Sequence, residues 1–311
     1  MTDIATIIAR ERLPADYAET VERWWRPLAR QIAQWQGEAG RTIVVGINGA
    51  QGSGKSTLCA FLEQALLPEL GLKAVTLALD DLYLTQAERE ALGRTVHPLL
   101  ATRGVPGTHD TQLGSAILQD LAAGRPTRIP KFSKAIDDRL PMEQAPAVAG
   151  PVDVILFEGW CVGAKPQEPG ELAIPVNDLE AEQDRDGVWR RFVNERLAGD
   201  YGALFAQIDH LVMLRPASFE SVFDNRLLQE RKLRDVANGG TGQVDEDKLR
   251  AFISTYERIT RAMMALTALD PEVIYALGQG QAIAGITHRG GAQEMSNPAS
   301  SASKAAGTPA R

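Results

Sequence analysis

The run Gly49-Ala50-Gln51-Gly52-Ser53-Gly54-Lys55-Ser56 fits the phosphate-binding pattern G-x-x-x-x-G-K-[ST] in full. Its surroundings fit as well. Thr42-Ile43-Val44-Val45 before it reads as a buried strand. Leu58, Phe61, Leu62, Ala65 and Leu66 after it recur at the spacing of one helix face. Strand, glycine loop and helix in that order make an anion cradle. Glycines let backbone N–H groups converge on phosphate oxygens, and the helix N-terminus adds partial positive charge. Gly49, Gln51, Gly52, Ser53, Gly54, Lys55, Ser56 and Thr57 are therefore the expected ATP-binding residues. Lys55 would reach the β- and γ-phosphates, and Ser56 would hold the Mg²⁺ that travels with the nucleotide.

Two carboxylate positions stand where they can meet such a ligand. The stretch Ala74–Leu79 runs directly into Asp80-Asp81, and the stretch Val152–Phe157 ends in Glu158-Gly159-Trp160. A carboxylate leaving a strand beside a phosphate loop can accept a proton from an attacking hydroxyl or bind Mg²⁺. Asp80 and Glu158 are assigned to catalysis and metal. Asp81 is open to two readings, substrate contact or cap of the helix near Thr85-Gln86-Ala87-Glu88.

Cations and polar groups flank these positions. Arg103-Gly104-Val105-Pro106-Gly107-Thr108-His109-Asp110 joins a turn to a helix start, with Thr108 or Asp110 as N-cap. Arg103, His109 and Asp110 are candidate substrate contacts, together with Tyr83, Lys131 and Arg139. The last two lie in the irregular stretch Pro130–Arg139, which also carries Lys134. Further on, Arg226, Arg231, Lys232 and Arg234 make the helix near 217–235 basic, and the run Gly239-Gly240-Thr241-Gly242 follows. This reads as a lid. Arg226 and Arg231 are the candidates for neutralising charge on a transferred phosphoryl group.

The elements that must hold these residues alternate. Strands are expected at 42–47, 73–79, 152–157, 208–214 and 272–277, and helices at 55–67, 110–123, 185–206, 217–235 and 246–267. The fold class is α/β, a mainly parallel sheet covered by helices on both faces. Ligands in such sheets sit beyond the C-terminal strand ends. Residues 1–40 read as a helical extension whose Val21, Trp24, Trp25, Leu28 and Ile32 pack on the main domain. The domain spans 41–289. The Ala-, Ser-, Gly- and Pro-rich tail 290–311 reads as disordered. The segments 94–110 and 125–150 show little periodicity. The run Leu277–Gln281 is an adenine-site candidate by position.

Bulk composition narrows the partners. The chain has 311 residues and a net charge of −7, so no global basic field attracts nucleic acid or an anionic membrane. Cys59 and Cys161 stand far apart, which points to a reducing compartment and no structural zinc. No secretory leader or membrane span is apparent. The expectation is a cytoplasmic protein with a small-molecule substrate.

The blocks GINGAQGSGKST, LALDDLYLT, RGVPGTHD and VILFEGWCVGAKP, with PKFSKAIDDR between the last two, resemble the glycerate kinase family of the plant and fungal type. That family is similar in turn to uridine kinase, phosphoribulokinase and bacterial pantothenate kinase. The resemblance covers residues 40 to 285. It implies a P-loop kinase fold and ATP-dependent phosphorylation of a small metabolite hydroxyl, in glycerate kinases the 3-hydroxyl of D-glycerate. It aligns Asp80 with the catalytic aspartate of the related kinases. Ser133 stands where an Asp is frequent. Two other readings share the P-loop: a nucleoside or pantothenate kinase, and an ATPase or switch acting on a protein partner. A GTPase would need N-K-x-D after a strand, and Ile208–Leu214 leads instead into Arg215-Pro216.

Overall fold

Alternation along single strands builds both faces of the sheet. In the strand β1 (Ile43–Gly49), Ile43, Val45 and Ile47 point to one apolar layer and Val44 to the other. The same division runs through β2 (Ala74–Ala78), β3 (Val154–Gly159), β4 (His210–Arg215) and β5 (Val273–Leu277). The computed structural model describes residues 2–238, 246–290 and 294–295. The glycine run 239–242 and most of the tail after Gly290 lie outside the described residues, as do the side chains of Lys232 and Arg234.

The sheet order is β7-β6-β5-β4-β1-β3-β2, where β6 is Ile283–His288 and β7 is Glu294–Met295. Strands β2, β3, β1, β4 and β5 are parallel, as the alternating sequence predicts. The edge strands β6 and β7 are antiparallel additions. They escape sequence reading because β6 follows β5 through a tight turn and carries only a short apolar pattern, Ile283 and Ile286.

One face is covered by the helices α1 (Ile4–Arg10), α2 (Arg26–Ala39) and α3 (Lys55–Phe61). Trp25 is buried against Tyr275 of β5, with ring centroids 5.1 Å apart, and the Tyr275 hydroxyl donates to Trp24 O at 3.3 Å. The other face is covered by α4 (Thr111–Ala122), α5 (Val188–Arg196) and the later helix α8 (Glu257–Met264). Between α5 and α8 come α6 (Phe219–Asn238) and α7 (Glu246–Ser254). Asp110, not Thr108, caps α4, accepting from Leu113 N at 2.9 Å. The expected single helix at 185–206 is broken at Gly199, whose backbone leaves the helical region.

The two segments without periodicity are ordered, the first holding a short helical turn at Pro98–Ala101. Before it, residues 86–95 form a helix capped by Thr85, whose hydroxyl and Glu88 make a reciprocal capping box. This cap leaves Asp80 and Asp81 out of helix capping. In the second segment, Phe132–Ser133 pairs with Asp138–Arg139 as a small hairpin, and Thr127–Arg128 pairs with Ala147–Val148. Arg89, fully buried, holds the hairpin tip. It donates to Leu84 O, Ala101 O and Asp137 O and pairs with the Asp137 carboxylate at 3.0 Å. Arg89→Ala is expected to cost about 3 kcal/mol in chemical denaturation, because buried carbonyls lose their donors and a cavity opens.

Candidate active site

Strand register brings the carboxylates to the phosphate loop. Ile47 of β1 is opposite Glu158, Asn48 is opposite Gly159, and Ala78 of β2 is opposite Glu158 on the far side. Asp80, two residues beyond Ala78, therefore emerges beside Glu158 at the C-terminal sheet edge. Gly52 and Gly54 have φ of +74° and +89°, backbone that L side chains rarely adopt. No side chain caps the start of α3, so its first N–H groups are available to an anion. Lys55 rests on Ala50 O at 3.2 Å, and Ser56 Oγ donates to Glu158 Oε1 at 2.8 Å.

These groups line one cleft of about 180 Å³. Gln51, Gly52, Gly54, Lys55, Ser56, Thr57, Asp80, Tyr83, Arg103, Glu158 and Arg226 all line it. Gly49 and Ser53 shape the loop from behind. A Cβ on Gly49 would stand 2.6 Å from Ser53 Oγ. Helix α6 lies on the loop, since a Cβ on Gly52 would come within 3.1 Å of Asn225 Cβ. That placement carries Arg226 into the cleft. Arg231 lies outside, exposed and paired with Glu246 at 3.0 Å. Leu277–Gln281 passes near the loop, with Gln281 Oε1 3.9 Å from where a Gly54 Cβ would be.

The charges interact. Burial alone would weaken Asp80 as an acid. Lys134, 2.7 Å from Asp80 Oδ2, and Lys55 outweigh it, so the carboxyl titrates below its usual range. Asp80 Oδ1 accepts from the Tyr83 hydroxyl at 3.1 Å. Glu158 goes the other way. Burial raises its pKa, Lys55 opposes this, and Asp80 adds to it.

Several expected substrate contacts are placed elsewhere, for identifiable reasons. Asp81 is held by Lys131 Nζ at 2.6 Å and Phe132 N at 3.1 Å, which ties the hairpin to the strand end. Arg139 donates to Tyr83 O at 2.9 Å and faces Asp110 at 3.4 Å. Asp81, Asp110, Lys131 and Arg139 thus fasten the loops that carry Asp80 and Lys134. His109 is buried beneath Tyr83, stacked at 4.4 Å. The Tyr201 hydroxyl accepts from Gly107 N and His109 N, so its own proton points to His109 Nδ1 at 2.5 Å. That makes His109 the neutral Nε2–H tautomer. Lys165, a further cation from the flanking segments, is exposed and lies outside the cleft.

Burial pulls the His109 pKa down to about 3, against the pull of Asp80. An unfolded histidine titrates near 6.5. Between those values the unfolded chain binds the extra proton, so stability falls as pH falls. His109→Gln is expected to remove about 2 kcal/mol of the loss in unfolding free energy between pH 7 and pH 5. Equal slopes for wild type and variant in urea titrations would disprove it.

Two lining residues had no motif to announce them, Phe252 and Tyr256, whereas Lys134 and Trp160 lie in the blocks PKFSKAIDDR and VILFEGWCVGAKP. Asn48 supports Trp160 from β1. Its amide donates to Trp160 O at 3.3 Å and Val162 O at 2.9 Å, folding the loop after β3 back over the sheet.

No family model matches the chain. It is 34% identical over 228 residues to an uncharacterized kinase, mug58, of Schizosaccharomyces pombe, covering 70% of this chain and 79% of that protein. A chloroplastic D-glycerate 3-kinase of Arabidopsis thaliana is 33% identical over 225 residues, 69% of this chain and 46% of the plant protein. The chain thus spans just under half that relative's length. Among solved structures, a D-glycerate 3-kinase from Cryptococcus neoformans superposes with a TM-score of 0.72 at 25% identity, covering 85% of this chain and 98% of that one. A further relative is the probable ATP-dependent kinase TDA10 of Saccharomyces cerevisiae, 29% identical over 74% of this chain and 80% of the yeast protein. No helix of the described residues is long and apolar enough to cross a membrane. The chain belongs to the D-glycerate 3-kinase family, P-loop kinases that use ATP to phosphorylate small molecules.

Proposed function

We propose that the enzyme transfers the γ-phosphoryl group of ATP to the 3-hydroxyl of D-glycerate. The observation that carries this reading is that Asp80 and Arg103 line one cleft with the phosphate loop. One can orient the attacking hydroxyl and the other can bind a carboxylate. The relatives named D-glycerate 3-kinase support it.

A nucleoside substrate would need aromatic faces. Counting from the sequence, cations outnumber rings near the site. In the cleft the numbers are even: Lys55, Arg103, Lys134 and Arg226 against Tyr83, Trp160, Phe252 and Tyr256. The rings, however, are engaged with one another. Trp160 and Phe252 meet Tyr256 edge to face at 4.8 and 5.1 Å, and one face of Tyr83 is covered by His109. They form a wall more than a stacking slot, which favours a small acid.

The roles follow from charge and position. Backbone N–H groups at Gln51–Thr57 and Lys55 hold the phosphates. The substrate hydroxyl, oriented by Asp80, attacks the γ-phosphorus as the bond to ADP breaks, and its proton passes to the Asp80 carboxylate. In a loose transition state the hydroxyl loses its proton late, so a carboxylate of lowered pKa suffices. Lys55 and Arg226 offset the charge on the equatorial oxygens. Ser56, Asp80 and Glu158 would hold the Mg²⁺ carried by the nucleotide. Hard oxygen donors, 2.8 Å apart for Ser56 and Glu158, suit that ion, and burial of Glu158 outweighs the pull of Lys55, so a further cation beside it would be favoured. When bound, Mg²⁺ neutralises phosphate charge. Two buried cysteines without a disulfide agree with a reducing, cytoplasmic setting.

A metabolite panel scored by ATP consumption and product mass tests the reading. D-Glycerate should be converted to a phosphoglycerate. Efficient phosphorylation of uridine or cytidine with glycerate inert would overturn it. Arg103→Ala should raise the KM for the acid by about 30-fold or more while leaving the KM for ATP nearly unchanged.

A further inference from the structure

Tyr256 reaches the cleft from the segment between α7 and α8, far in sequence from every motif considered above. Its ring is 2% exposed and clamped by Trp160 and Phe252. The turn at Gly104 is shaped around it. A Cβ on Gly104 would overlap the Tyr256 hydroxyl and stand 2.7 Å from the ring carbon that bears it. The turn is itself fixed, because Trp160 Nε1 donates to Gly104 O at 2.9 Å and Gly104 N donates to Thr108 Oγ1 at 3.1 Å. The next residue back is Arg103, which lines the same cleft and pairs with Asp137. Among the described residues the hydroxyl of Tyr256 makes no hydrogen bond. Tyr256 lines the cleft that holds the phosphate loop, Asp80 and Arg103.

Burial holds the phenol well above its usual pKa, with Asp80 raising it further and Arg103 and Arg226 opposing. The group is a neutral O–H donor at working pH. It stands within the fields of the residue assigned to the attacked hydroxyl and the residue assigned to the carboxylate. A three-carbon hydroxy acid spanning Asp80 and Arg103 has one polar group left, the hydroxyl on its central carbon.

We propose that Tyr256 is a specificity-determining residue, whose hydroxyl hydrogen-bonds the 2-hydroxyl of the acid and selects 2,3-dihydroxy acids over acids lacking that group. This rests on the glycerate reading of the same site. A buried donor left unpaired by the wrong substrate costs more than a hydrogen bond to the right one contributes.

The test pairs one variant with two substrates, D-glycerate and 3-hydroxypropionate, which keeps the carboxylate and the attacked hydroxyl and lacks the central one. Wild type should prefer D-glycerate in kcat/KM by about 30-fold or more. Tyr256→Phe keeps the ring against Trp160 and removes only the hydroxyl. It should lower kcat/KM for D-glycerate by about 10-fold or more, mainly through KM, and leave 3-hydroxypropionate unchanged or improved. The KM for ATP should not move. A purely structural role would lower both substrates alike, and that result overturns the proposal, as does a variant with wild-type selectivity. If wild type phosphorylates neither acid, the glycerate reading and this one fall together. If it phosphorylates glycerate and only the selectivity test fails, the glycerate reading stands alone.

Discussion

Lys55→Ala is expected to reduce phosphoryl transfer by about 10³-fold or more and leave the fold intact. Lys55 is half-buried at the start of α3, and its Nζ donates to Ala50 O at 3.2 Å. No ion pair depends on it among the described residues, although its charge opposes the burial of Glu158. What disappears is the cation closest to the phosphates of a bound nucleotide. Near-normal turnover in the variant, with a wild-type thermal melt, would sink the assignment of the P-loop as the catalytic phosphate site. Ser56→Ala should act more narrowly. Its hydroxyl faces Glu158, so its loss should show as a shifted Mg²⁺ dependence of nucleotide binding.

The second large effect belongs to Asp80. Asn at this position keeps an acceptor for the Tyr83 hydroxyl but cannot carry charge or take a proton. The rate should fall by about 10²-fold or more with the KM for ATP little changed. Asp81→Asn is the matched control. Asp81 is committed to Lys131 and Phe132 N, so its loss should loosen the hairpin and affect the chemical step less. If Asp81→Asn stops the enzyme and Asp80→Asn is mild, the two roles are exchanged.

The sequence was legible where local pattern and chemistry coincide. The P-loop is local, and so is each strand that ends in a carboxylate. Five parallel strands, the loop geometry and the positions of Asp80 and Glu158 at the sheet edge could be read from residue order. Two kinds of feature could not. The first is the division of labour between neighbouring charges. Asp80 and Asp81 look alike in sequence, and only the hairpin at 132–139 decides which one keeps an open side. Likewise Arg226 and Arg231 lie on one helix, five residues apart, and point to different surroundings. The second is long-range placement. Tyr256 and Phe252 sit on an amphipathic helical stretch where apolar spacing reads as core, and nothing nearby marks them as a cleft wall. Gly104 was visible within RGVPGTHD, but its reason lies 152 positions away in the Tyr256 ring.

The contact of Trp25 with Tyr275 has a bearing on how the chain is made. These rings are separated by 250 positions, yet one buries the other. Synthesis proceeds at about 5–20 residues per second, so the N-terminal tryptophans wait about 10–50 s for the strand that covers them. Until residues 210–215 are made β1 also lacks its sheet neighbour β4, and until 273–277 are made β4 lacks β5. A nascent chain therefore carries its adhesive surface first and the cover for it last. A product that stops short of residue 273 keeps that surface open for good, so truncated copies should be claimed by chaperones or proteases while full-length chains escape.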